Sequence, residues 1–246
     1  PVQTTVGNIF VLRHNARNHA GIFTEKCNDI TFDYITIHSC GGLGCLAQFC
    51  NDLTYRRVYF SPNATVGRTV SNGRDDGIHI TCCTGTITVT ECTFTGLMDD
   101  PVNVHGCCVT SNEVVDKYTL RCCYGHEASC GFHYWAEAGN EVSFIDRYNM
   151  SCISTARVTS YTLEDMNTFQ LTFDAPLPKE VLSLAEKGDA LALDNITNTA
   201  ALVCTQNRFA SNRARGILIS TPRPVVIANN YFTSSGSAIL VAGDSN

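Results

Sequence analysis

Several features are scarce in this 246-residue chain, and each absence excludes something. No basic stripe or arginine-rich arm occurs. The formal net charge is −6, with acids and bases scattered, so no nucleic-acid partner is expected. No apolar run approaches the roughly 20 residues of a membrane span, so none is expected. No charged segment followed by an apolar one opens the chain, so no signal peptide is read. The first residues, PVQTT, include no initiator Met, as expected of a fragment or processed product of something longer. Helical periodicity is nearly absent. Only PLPKEVLSLAEKG, at 176–188, reads as a short helix. No CxxC pair recurs at finger-like spacing, so no zinc site is expected.

Cysteine, by contrast, is abundant. There are 14, with adjacent pairs at 82–83, 107–108 and 122–123. A chain of this size does not need disulfide staples, so these read as small hydrophobes of a core. About 44% of residues are apolar, enough for one large domain or one domain with an insertion. The sequons at Asn63, Asn149 and Asn195 carry no inference.

The strongest internal signal is a 23-residue repeat. CNDITFDYITI at 27–37 matches CNDLTYRRVYF at 50–60, and QNRF at 206–209 matches NNYF at 229–232. CTGTITVTECTF at 83–94 has the same form. Short β-branched runs of period two, broken by Asn, Gly and Asp, read as strands. A β repeat this short cannot bury its apolar face alone, and stacked copies bury one another's. The expected architecture is therefore all-β, a parallel β-helix or solenoid. Equivalent positions then stack at ~4.8 Å. Cys27, Cys50 and Cys83 should form an inward ladder, and Asn207 and Asn230 a turn ladder. The pattern vanishes between 107 and 195. Longer strands replace it, at 141–146, 156–163, 169–174 and 189–193. The expected organisation is 1–106 solenoid, 107–195 inserted small β-barrel, and 196–246 solenoid resumed. The ends of the insertion must then meet at one solenoid edge.

The repeat bears directly on GLMDDPVNVHG at 96–106. Asp76 and Asp99 lie 23 apart, so the repeat stacks them in neighbouring coils, with Asp100 alongside. Neighbouring residues on a strand face opposite ways, so Asp99 and Asp100 can both face outward only where the chain bends, as Pro101 suggests. Close carboxylates raise one another's pKa, which glycoside cleavage requires: one acid for the leaving oxygen, and one base or nucleophile. A stacked Asp turn holding Ca²⁺ is the structural alternative. Asn103 and His105 alternate onto one face, and His79 follows Asp76 by three. These groups can bind sugar hydroxyls or hold a carboxylate. Arg213 and Arg215 are expected on one face of a strand, as solvent charges or ligand clamps. The single tryptophan, Trp135, is read as buried in the insertion, with a sugar-stacking platform as the alternative.

GRTVSNGRDDGIHITCCTGTITVTECTFTGLMDDPVNVHG, with NRARGILISTPRPVVIANNYF, resembles glycoside hydrolase family 110. The resemblance extends over most of the chain. It implies a right-handed parallel β-helix with an inserted β-barrel. It implies inverting release of terminal α-1,3-linked galactose from an α-galactosyl-terminated oligosaccharide or glycoconjugate, including blood-group B and linear B structures. No metal or cofactor is implied. A secreted or periplasmic location is favoured, and oligomeric state is left open, a homodimer included. The family's three catalytic aspartates fall on Asp76, Asp99 and Asp100, with Asp99 as general acid and the other two activating water. His79, Asn103, His105, Arg213 and Arg215 are the substrate-binding candidates. The chain departs from the family pattern at Asp75, Gly77, Met98, Pro101 and His133. Rival readings are a polygalacturonase-like β-helix hydrolase, a calcium-dependent lyase, and a non-catalytic glycan-binding solenoid of adhesin or tailspike type.

Overall fold

The structure, a computed structural model, describes residues 4–12, 19–68, 72–125, 129, 134–233 and 236–243. Eight strands come first: β1 (Ile22–Glu25), β2 (Asn28–Ile37), β3 (Cys45–Gln48), β4 (Asn51–Phe60), β5 (Ile78–Thr81), β6 (Thr84–Thr90), β7 (Thr93–Thr95) and β8 (Val102–His105). Next are β9 (Cys108–Asp116), β10 (Thr119–Tyr124), β11 (Glu141–Asp146), β12 (Ser151–Leu163), β13 (Thr168–Phe173), the helix α1 (Lys179–Ala185) and β14 (Leu191–Asn195). The last are β15 (Ala201–Thr205), β16 (Arg208–Ala210), β17 (Ile217–Ser220), β18 (Val225–Ala228), β19 (Tyr231–Thr233) and β20 (Ile239–Val241).

The outer groups of strands form two parallel sheets. One has the order β1-β3-β5-β8-β17-β20. The other has β18-β15-β6-β4-β7-β16-β19, with β2 on β4. The chain alternates between them, so each strand pairs with its counterpart from an earlier repeat. Ile22 faces Cys45 and Asn28 faces Asn51, both at the 23-residue step. Apolar side chains at alternate positions form the shared core, which includes Ile78, Ile80, Val102, Val104, Ile217 and Ile219.

Equivalent residues stack in columns. Phe60, Phe94, Phe209 and Phe232 lie ring on ring, with centroids 5.3, 5.0 and 4.6 Å apart and planes within 14° of parallel. Cys27, Cys50 and Cys83 fall in register as expected, and Cys50 and Cys83 are buried. The Asn207 amide nitrogen donates to Asn230 Oδ1 at 3.0 Å, which forms the turn ladder. Corners stack as well: Lys26, Phe49 and Cys82 have φ of 51°, 52° and 54°. Left-handed backbone costs a non-glycine residue about 1 kcal/mol or more. It persists here because hydrogen bonding between repeats continues through the bend, from Lys26 N to Gln48 O at 3.1 Å and from Cys82 N to His105 O at 3.1 Å.

The repeat step is not constant. Cys45 pairs with Ile78, a step of 33, and Ile78 pairs with Val102, a step of 24. Between strands, only short stretches of the loops are bridged from one repeat to the next, as at Cys40, Gly73 and Leu97, so the rest can vary in length. A 3-10 turn at Ala64–Val66 sits in the longer one.

Strands β9–β14 close an antiparallel barrel of order β10-β13-β12-β11-β14-β9. β9 and β10 were not anticipated in the sequence, and β12 begins five residues before the expected 156. The helix falls inside the expected 176–188, after Pro178. Its buried face, Val181, Leu184 and Ala185, packs on the barrel core. Trp135 is buried in that core; its ring nitrogen donates to Cys107 O at 2.7 Å, and its ring stacks on Phe169. All thirteen cysteines among the described residues are free thiols, most of them buried.

Replacing the central ring of the column, Phe94→Ala, should destabilise the chain by about 3–5 kcal/mol, because the cavity between two flanking rings cannot collapse. Urea unfolding measures this, and an unchanged midpoint would show that the column contributes nothing.

Candidate active site

The loops leading into β5, β8 and β17 run side by side. Asp76 precedes β5 by two residues, Asp100 precedes β8 by two, and Arg215 precedes β17 by two. With Ile78 on Val102 and Val102 on Ile217, these three residues occupy one row. The 24-residue step therefore corrects the expected stacking: Asp100, rather than Asp99, lies level with Asp76. Asp99 still joins the group, because the chain bends from Met98 to Pro101 as anticipated. One carboxylate oxygen each of Asp76, Asp99 and Asp100 lies within 4.8 Å of the others. Asp76 and Asp100 are buried, at 6% and 1% exposure, and Asp99 is partly exposed.

Each buried carboxylate has its own donors. Asp100 Oδ1 accepts from the backbone N of Arg215 at 3.0 Å and from its Nε at 2.9 Å. Asp100 Oδ2 accepts from Nη2 at 2.7 Å, a bidentate clamp. The Asp100 hydrogen bond raises the Arg215 guanidinium above its ordinary value. Asp76 Oδ2 accepts from His79 Nδ1 at 2.7 Å and Asn103 Nδ2 at 3.1 Å. Its Oδ1 accepts from the Asp100 N–H at 3.1 Å. Burial alone would raise the Asp76 carboxyl. The bond and charge of His79, with the Asn103 amide and the Asp100 N–H, more than offset this and hold it below its usual value of 3.8. These donors take up most of the acceptor sites of Asp76 and all of those of Asp100, which counts against the calcium-turn reading.

The substrate-binding candidates separate. His79 on β5 faces Asn103 on β8, and both reach Asp76. His105 meets His79 with Nε2 to Nε2 at 3.0 Å. Arg215 clamps Asp100. With Asn103, His105, Leu218, Ser220 and Leu240, it lines a cleft of about 250 Å³ beside the carboxylates. Asn103 Oδ1 is buried with no protein partner. Arg213 lines another hollow, of about 360 Å³, with Met98 and Asn212. Both arginines lie in the bend before β17 rather than on a strand face, because the strand ladder begins only at Ile217.

Two contributors carried little sequence signal. Arg74 holds the fully buried Asp75 through contacts of 2.9 and 2.8 Å. Gly77 donates its N–H to Asp100 O at 2.9 Å, and a Cβ there would stand 2.7 Å from Pro101 O and 2.9 Å from Leu97. Glycine is therefore what allows the Asp76 and Asp100 loops to approach. His133 lies outside the described residues.

Residues 119–191, inside the barrel, match the family described as GLAA-B beta-barrel domain II. The chain is 36% identical over 241 residues to an alpha-1,3-galactosidase B of Bacteroides thetaiotaomicron, covering 98% of this chain and 38% of the relative. It is 33% identical to an alpha-1,3-galactosidase B of Akkermansia muciniphila, covering 97% of this chain and 29% of the relative. It is 32% identical to an alpha-1,3-galactosidase A of Bacteroides fragilis, covering 97% of this chain and 38% of the relative. The chain spans about two fifths or less of the length of these relatives. These likenesses, along almost the whole chain, support its resemblance to glycoside hydrolase family 110.

Arg215→Ala leaves Asp100 buried without its counter-charge. The loss should be roughly 2–3 kcal/mol, below that of a fully buried pair because the arginine side chain is 36% exposed. Arg215→Lys should recover only part of it, and chemical denaturation distinguishes the variants. The depressed value of Asp76 gives a second expectation. Its stabilisation is complete above about 3.8 and is lost as pH falls through the lower folded value. His79→Gln should therefore move the acid-unfolding midpoint upward; a midpoint that stays in place or falls refutes the pairing.

Proposed function

We propose that this chain carries the active site of an exo-acting glycoside hydrolase that releases terminal α-1,3-linked galactose, with inversion, from glycans such as blood-group B or linear B structures. The parallel sheets are taken as a right-handed parallel β-helix, 1–106 and 196–246, with 107–195 as its inserted barrel. The observation that carries the reading is the meeting of three carboxylates beside an open cleft, two of them held by cationic or amide donors.

The roles follow from those donors. Asp76, held by His79 and Asn103, stays ionised, and with Asp100 clamped by Arg215 it suits the positioning and activation of water. Asp99 is left as the proton carrier for the leaving oxygen. It is the most accessible of the three and stands at the mouth of the group. Inversion needs reacting carboxyl groups about 6.5–9.5 Å apart, with a water between acid and base. The nearest oxygens are closer than this, within 4.8 Å, so the reading requires the outward oxygen of Asp99 to deliver the proton. The Asn103 amide, the cleft face of Arg215 and the exposed Arg213 are the proposed contacts to sugar hydroxyls.

On α-1,3-, α-1,4- and α-1,6-galactosides, galactose should be released from the α-1,3 compound, with the β anomer appearing first. The α anomer first would refute inversion, and turnover of polygalacturonate instead would favour the polygalacturonase-like rival. Asp99→Asn should lower the rate by at least about 100-fold, the scale of a general acid's contribution, with folding unchanged. Unchanged release would remove Asp99 from the mechanism. Glycan binding with no release by the unaltered chain would favour a non-catalytic solenoid.

A further inference from the structure

His79 and His105 form a continuous hydrogen-bonded chain between two fixed acceptors. At one end, His79 Nδ1 lies 2.7 Å from Asp76 Oδ2. In the middle, the two Nε2 atoms lie 3.0 Å apart, with the rings nearly perpendicular at 88°. At the other end, His105 Nδ1 meets the Gly106 carbonyl oxygen. A carbonyl oxygen only accepts, so His105 Nδ1 carries a proton. Two bare Nε2 lone pairs would repel at 3.0 Å, so one of them carries a proton as well. The contact to Asp76 needs a third. Two neutral imidazoles hold only two protons.

We infer that Asp76, His79 and His105 work as a three-proton unit in which the histidine pair bears one shared positive charge that orients Asp76 and keeps it ionised. Asp76 is the anionic end, because Oδ2 also accepts from Asn103 and Oδ1 from the Asp100 N–H. The surrounding charges suit this assignment. Asp100 is neutralised by Arg215, and Asp75 by Arg74. Asp99 lies beside Asp76. Asp194 on β14 approaches Gly106, with Oδ1 3.1 Å from where a Cβ would stand. β3, on the far side of β5, carries no acid or base, only Cys45. On β17, the partner of His105 is Ser220.

Both nitrogens of each ring are committed, so neither histidine is placed to bind a sugar hydroxyl through nitrogen. They are positioning residues that act through Asp76. This role rests on the proposed reading of Asp76 as a base, whereas the proton count does not. Raising the pH removes one proton from the unit to solvent base. The N–H···N bond is lost and two neutral rings remain, with opposed lone pairs. His79 then keeps its Nδ1–H bond to Asp76 but loses its tether to His105, and Asp76 loses the positive charge beside it.

Imidazole ¹⁵N spectra of the labelled chain count the protons directly. Three protonated nitrogens on the two rings near neutral pH, and a single release shared by both rings as pH rises, are expected. One N–H on each ring, or independent titration, would overturn the proposal. In Asp76→Asn the release should fall by about one pH unit or more, because the counter-charge is gone; an unchanged release would also overturn it. The alkaline fall in galactose release should coincide with the loss of the shared proton. A shared release in the spectra from a chain that frees no galactose would keep the proton unit and refute the hydrolase reading. Galactose release that ignores the shared proton would refute the positioning role.

Discussion

Parallel pairing of β8 with β17 is the contact on which the site depends. Val102 and Ile217 are 115 residues apart, and their register sets Arg215 against Asp100. A whole barrel lies between them. It does not disturb the sheets because its own ends are tied together: Cys108 on β9 pairs with Asp194 on β14. The chain leaves and re-enters the stack at adjacent points, and Trp135 fixes the junction through Cys107. The columns of Phe and Cys then hold the register, since a one-residue slip would turn every core side chain outward.

Within that frame, electrostatics divides the work among three similar residues. Burying an isolated carboxylate is costly, and Asp75, Asp76 and Asp100 are each buried only with dedicated donors. Those donors come from different repeats. The ion pair of Asp100 reaches across the insertion, whereas that of Asp76 is three residues away on the same strand entry. Asp99, one residue from Asp100, is turned toward the surface by the bend at Pro101. Chemically equal side chains thereby acquire unequal partners and unequal access.

Much of this organisation was legible in the residues. The period of 23 gave the stacking, and the β-branched runs gave the strands. Conversion to longer strands after 107 marked the insertion. The pair at 99–100, with an acid one repeat earlier, marked the cluster. The departures at Gly77 and Pro101 acquire a reason in the structure: the Gly77 position has no room for a Cβ beside the Pro101 carbonyl. β9 and β10 were not legible, because CVTSNEVVD and TLRCCY mix charge into the alternation and only closure of the barrel assigns their faces.

Sequence by itself determined that equivalent residues would stack and that acids would gather at one edge. Both follow from local periodicity, which every repeat carries within itself. Tertiary structure alone decided which acid lies level with which, because repeat steps of 33 and 24 between paired strands override the 23-residue step. It also decided that Arg215 clamps Asp100 and that His105 completes a chain through His79 to Asp76. Those contacts join segments whose separation along the chain says nothing of their distance in space; hydrogen bonding between strands, which local patterning does not specify, brings them together.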